Sequence, residues 1–134
     1  MTPREVDNYL ERQPRTAPPS SKLVWGFGVN DVDFQVGGTI EGRFRKHRAY
    51  SIWNTMLQRC SDGNSIHYND VRVHPVWFKF SEFFKWWDEN YVEGYHLDKD
   101  IIGDGKTYSP DTCIFIPVWL NSFLTLRGRL RGLS

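Results

Sequence analysis

The stretch from Trp77 to Tyr91 constrains the fold most, because Phe80, Phe83, Phe84, Trp87 and Tyr91 recur in it at three- and four-residue spacing. That is one stripe of a helix, and a stripe this bulky must be covered by other elements. Phe78 and Trp86 fall off the stripe, so each covers a second contact or faces a partner. A second stripe of Ile52, Trp53, Met56, Leu57 and Cys60 predicts a helix from about His47 to Cys60, stopped by Ser61-Asp62-Gly63-Asn64. Six Trp, six Tyr and nine Phe in 134 residues supply enough bulk to fill the core of one small domain.

The remaining text is shorter in period. LVWGFGV, DFQV and GTI, within 22–42, read as short strands or loop segments cut by glycines. Gly26-Phe27-Gly28 is not a phosphate loop, because no third glycine and no Gly-Lys-Ser/Thr follows. Val71 and Val73 alternate with polar neighbours as a short strand. YHLDKDI (95–101) and TCIFI (112–116) read as two more, joined by the turn-rich IGDGKTYSPD. Pro117 opens a last helix whose apolar face is Trp119, Leu120, Phe123 and Leu124. At the N-terminus Thr2 and Glu5 have capping-box spacing, which predicts a helix carrying Val6, Tyr9 and Leu10 on one face. The expected fold is α+β: an N-terminal helix over 1–12, a proline-rich linker over 13–21, one domain over 22–126 and a basic tail over 127–134.

Lys and Arg number 17 against 16 Asp and Glu, so bulk charge does not bind this chain to a polyanion. The charge is segregated, however. Arg43, Arg45, Lys46, His47 and Arg48 form the densest basic run, with Arg59 after it. An acidic stretch from Asp88 to Asp111 follows, and Arg127, Arg129 and Arg131 close the sequence. The run suits phosphate contacts, with Phe44 or Tyr50 stacking on a base; its other reading is a solvated face before a helix. No stretch is long and apolar enough to span a membrane, and the N-terminus has no apolar signal core. Two cysteines make no disulfide framework, so a reducing, cytoplasmic setting is expected. Cys60 and Cys113 lack a C-x-x-C partner and read as small buried side chains.

Over about 22–124 the residues line up with more than a generic α+β domain. Lys22-Leu23-Val24-Trp25-Gly26 and Gly28-Val29-Asn30-Asp31 come first, then Tyr50, Trp53, Asn54, Met56, Leu57, Arg59 and Cys60. Tyr68, Val73, Trp77, Phe80, Phe83 and Trp86 follow. The most specific block is Gly94, Leu97-Asp98-Lys99-Asp100-Ile101, Gly105-Lys106 and Tyr108-Ser109-Pro110-Asp111-Thr112-Cys113-Ile114-Phe115-Ile116-Pro117, ending at Asn121. In order and spacing this set resembles small bacteriophage proteins of the HNH (His-Me finger) homing-endonuclease-like or DNA-binding family.

The resemblance implies a β-hairpin followed by a helix, acting on double-stranded DNA in the host cytoplasm. In active members a divalent metal such as Mg²⁺ stabilises the phosphate and a histidine activates water. Asp98 falls on the metal-carboxylate position, but Lys99 stands where the base histidine would be, and Thr112 where relatives often carry Asn. His96, on the strand face of Asp98, is a stand-in ligand or base. Asp98 and Asp100 have two readings, as metal ligands or as carboxylates that anchor the hairpin turn. The expected function is a DNA-binding protein whose phosphodiester cleavage is weak or lost. The alternative is a phage accessory factor that binds a host or phage protein through Phe78 and Trp86.

Overall fold

Thr2 starts the first helix as its spacing predicts. In α1 (Pro3–Glu11) Thr2 Oγ1 accepts from the Glu5 backbone N–H, and Glu5 Oε1 accepts from that of Thr2, both at 3.1 Å. The computed structural model describes residues 1–16, 23–61, 71–103 and 105–123. Val6 and Leu10 of α1 pack with Ile40 of a two-stranded ribbon, β1 (Gly37–Ile40) and β2 (Arg43–Lys46). The strands are antiparallel and joined by Glu41-Gly42, both at positive φ (53° and 78°), the backbone that a two-residue hairpin turn requires.

The proline-rich linker is shorter than its composition suggests. Gln13 O accepts from Gln35 N, Arg15 N donates to Asp33 O, and Arg15 Nη1 reaches the carbonyls of Asn30 and Val32 at 2.7 and 2.9 Å. Residues 13–16 are therefore paired to the domain, while 17–21 lie outside the described residues.

The main core lies between α2 (Arg48–Cys60) and α3 (Phe80–Asn90), with Trp53, Met56, Leu57, Trp77, Phe80, Phe83 and Trp87 all buried. Trp53 Nε1 donates to the buried Trp77 carbonyl at 2.8 Å, so the largest side chain of α2 fits without an unpaired N–H. The helix expected from Trp77 is divided in two. A 3₁₀ turn (Pro75–Phe78) comes first, and Lys79 is extended before α3 begins. The cause is Val29, whose N–H donates to Phe78 O at 2.7 Å and whose carbonyl accepts from Phe80 N at 2.9 Å. That bridge takes the groups a continuous helix would have used.

Four short strands complete the fold. β4 (His96–Asp98) pairs antiparallel with β6 (Ile114–Ile116), in the register His96 with Ile116 and Asp98 with Ile114. Between them in the chain, β5 (Thr107–Tyr108) pairs in parallel with β3 (Arg72–Val73). A last helix, α4, covers 118–123 of the described residues. The architecture is α+β, with a hairpin followed by a helix at the C-terminal end. The off-stripe aromatics both find intramolecular partners. Phe78 meets Phe27 edge-on at 5.2 Å, and Trp86 stacks on Phe115 of β6 at 5.3 Å. Phe78 and Trp86 thus serve the second contact rather than an open protein-binding face. On α4, Trp119 is 70% accessible and Phe123 50%, Leu120 is half-buried, and Leu124 lies outside the described residues. No helix among the described residues is long and apolar enough to cross a membrane.

Candidate functional site

A cleft of about 530 Å³ opens where the hairpin and α4 face α2. The outward side of α2 lines it with Ser51, Thr55 and Arg59, β4 with His96, Leu97 and Asp98, and the following turn with Lys99 and Asp100. Tyr108 and Asn121 complete the wall. The fold thus brings Arg59 of α2 beside His96, Asp98, Lys99 and Asp100 of β4 and the turn after it. Arg43, Arg45 and Lys46 do not line the cleft but sit on the β1–β2 ribbon. Arg127, Arg129 and Arg131 lie outside the described residues.

Asp98 is buried at the end of β4, and its Oδ2 accepts from the backbone N–H groups of Asp100 and Ile101 at 3.0 and 2.9 Å. This carboxylate closes the turn that follows it. Lys99 Nζ donates to Asp100 Oδ1 at 3.0 Å and lies 5.6 Å from the centre of the Tyr108 ring. Burial alone would favour the neutral amine. The hydrogen bond to Asp100 and the nearby Tyr108, Asp100 and Asp98 outweigh it and raise the pKa above the ordinary lysine value. Lys99 is therefore an ammonium at neutral pH. It is a cation for an anion to meet, with no lone pair to activate water.

A divalent metal fits these residues poorly. Oδ2 of Asp98 already serves two N–H groups, and Asp100 carries the Lys99 ammonium, which would repel a second cation beside it. Among the described residues no three His, Cys, Asp or Glu side chains are grouped as a metal-holding set. His96 is exposed on the cleft rim. Thr112, at the Asn position of the resemblance, donates to the Thr107 carbonyl at 2.6 Å and pairs with Ser109 at 2.9 Å, so it braces the loop.

The basic run splits into two roles. Arg43 and Lys46 are exposed and Arg45 half-buried, and no carboxylate among the described residues forms an ion pair with them. His47 and Arg48 leave this surface. His47 is fully buried as the N-cap of α2; its Nδ1 accepts from Ala49 N at 3.1 Å, so Nε2 donates to Glu11 at 3.0 Å. Arg48 Nε donates to the buried Asp7 at 2.7 Å, and its Nη1 to Glu93 at 2.8 Å and Tyr91 at 3.0 Å. Both side chains clamp α1 onto the domain and are corrected from nucleic-acid contacts to structural ones. Tyr50 packs edge-on against Phe80 at 5.4 Å, which leaves Phe44 as the more open of these two aromatic residues.

Neither cysteine is poised as a nucleophile. Burial pushes both the Cys60 and the Cys113 thiol up to about 11. At pH 8 each is expected to react with a thiol reagent about 100-fold more slowly in the native chain than in the chain unfolded by guanidinium, because the thiolate fraction falls by that factor. The same shift sets a pH dependence. The contribution of these thiols to stability is complete below the unfolded value near 9.0 and is lost as pH climbs to about 11. A titration of unfolding free energy between pH 8 and 11 checks the sign.

The sequence analysis missed Ser51, Thr55, Tyr108 and Asn121 as cleft residues. For Ser51 and Thr55 a signal existed, since they share the face of α2 opposite the Trp53 stripe. Comparison with known proteins finds no matching family model, no similar curated protein and no similar solved structure, so the resemblance stands on the residues quoted above.

Proposed function

We propose that this chain is a phage DNA-binding protein of the HNH homing-endonuclease-like type in which phosphodiester cleavage is weak or lost. The observation that carries this reading is Lys99. At the position of a general base stands an ammonium, kept charged by Asp100 and set in a cleft with Arg59. An ammonium and a guanidinium attract a phosphate backbone; they do not deprotonate water. Asp98, taken up by the turn, supports the same conclusion. Lys99→Ala is expected to weaken duplex binding several-fold at low salt and to reduce the slope of log K against log salt by about one. A mobility-shift titration of a labelled duplex between about 50 and about 200 mM salt measures both. An unchanged slope removes Lys99 from the interface.

A second reading, a protein-binding accessory factor on a former nuclease fold, draws on the exposed Val118 and Trp119 of α4. Apolar binding there would be nearly independent of salt, which separates it from phosphate binding in the same titration.

A further inference from the structure

The β1–β2 ribbon has two unlike faces. Residues directly opposite in an antiparallel ladder share a face. Ile40 with Arg43 and Gly38 with Arg45 belong to the side on which Ile40 packs against Val6 and Leu10 of α1. Thr39 with Phe44 and Gly37 with Lys46 form the other, and Thr39, Phe44 and Lys46 are all exposed. Phe44 is 66% accessible in mid-strand, where burial would be the ordinary fate of a phenylalanine. Its ring lies along the ribbon, over Gly37. A Cβ at position 37 would stand 3.0 Å from Phe44 Cζ, so the glycine leaves room for the ring tip beside the backbone. Arg43 and Arg45 flank it in sequence and Lys46 follows. Glu41, the acid of the ribbon, sits in the turn, 3.7 Å from the terminal amine of Met1.

We infer that this outward face is a stacking platform for an unpaired base of a nucleic-acid strand, with Lys46, which shares the face, meeting the adjacent phosphate. The inference rests on the nucleic-acid reading above and adds a substrate class to it. Phe44 has no donor or acceptor to read a base edge in a groove. What it offers is a π-face, and a base exposes its own π-face only when it is out of the duplex stack. Lys46 matches the charge of the flanking backbone, and no carboxylate among the described residues forms an ion pair with it.

The test is fluorescence anisotropy of a labelled short DNA single strand and of its blunt duplex, with the full chain and with Phe44→Ala and Phe44→Trp. Phe44→Ala is expected to cost about 5- to 100-fold in affinity for the single strand and less than about twofold for the duplex. Phe44→Trp retains the affinity and adds tryptophan fluorescence that the strand quenches. Because the side chain is exposed, the alanine variant is expected to melt as the parent does. Equal losses on both DNAs, or no loss on either, overturn the platform while leaving duplex binding in place. If the unaltered chain binds neither DNA at micromolar concentration, the nucleic-acid reading itself fails and takes the platform with it.

Discussion

Arg48→Ala is expected to destabilise the protein by about 3 kcal/mol, to lower Tm by about 10 °C and to release α1 from the domain. The effect comes from Asp7 rather than from arginine itself. Asp7 is fully buried, and its carboxylate takes the Arg48 backbone N–H at 3.0 Å and the guanidinium at 2.7 Å. Removing the guanidinium leaves an anion in a low-dielectric site with its main counter-charge gone, the costly half of breaking a buried pair. The same substitution frees Glu93 and Tyr91 and removes a cation 4.8 Å from the Tyr91 ring centre. Two measurements check this. Chemical denaturation gives the loss, and hydrogen exchange locates it at residues 3–11 before the rest of the domain opens. In a double-mutant cycle Asp7→Ala and Arg48→Ala should be strongly non-additive, because the double variant no longer buries an unpaired charge. A loss below about 0.5 kcal/mol for Arg48→Ala would mean that the clamp does not hold α1.

Trp53→Ala is expected to cost more, about 4 kcal/mol, and to act on the whole domain at once. Trp53 is fully buried between α2 and α3, tilted against Phe80 at 5.2 Å and Tyr50 at 5.7 Å. Alanine leaves a cavity that rings this rigid cannot close, and it orphans the buried Trp77 carbonyl that accepts from Nε1. Trp53→Phe separates the two contributions. It keeps most of the ring but loses the donor, so about 1–2 kcal/mol is expected. Because α2 also presents Arg59 to the cleft, partial unfolding here should abolish the proposed nucleic-acid binding along with stability. Comparable exchange protection throughout α2 and α3 in Trp53→Ala would contradict the assignment of this residue to the centre of the core.

What was legible in the sequence was what depends on near neighbours. The capping box of α1 needed only Thr2 and Glu5, and the Trp53 and Phe80 stripes needed only their own spacing. The strands of the hairpin were legible as apolar pieces around a glycine-rich turn. The division at Lys79 was not, because it is made by Val29, some fifty positions away in the chain. Nor was the ribbon. Arg43–Lys46 has no apolar alternation, and the strand exists because Glu41-Gly42 turns the chain back beside a strand that α1 covers. Composition could not separate Arg43–Lys46 from His47 and Arg48 either. The acids that draw the latter two inward, Asp7, Glu11 and Glu93, come from distant parts of the chain.

The candidate site divides along the same line. Asp98 and Asp100 had two readings in the sequence, and the turn hydrogen bonds of Asp98 favour the anchoring one. Lys99 was identified as a departure from the nuclease pattern, and its partner Asp100 is the adjacent residue, so its charge state was within reach of the sequence alone. The convergence of Arg59 with Lys99 was not, since it depends on how the hairpin packs against α2. For α4 the spacing of Trp119 and Phe123 promised a buried stripe, yet both are exposed: periodicity reports a shared face, not what covers it.

The most direct test of the proposal that this chain binds DNA without cleaving it is incubation with supercoiled plasmid in Mg²⁺ and then Mn²⁺, with binding and cleavage scored on the same samples. The expected gel shows a salt-sensitive shift and no conversion to nicked or linear DNA. Metal-dependent nicking that disappears in Asp98→Ala would contradict this, because it would make Asp98 a working metal ligand despite its turn bonds and Lys99 a neighbour that does not prevent catalysis.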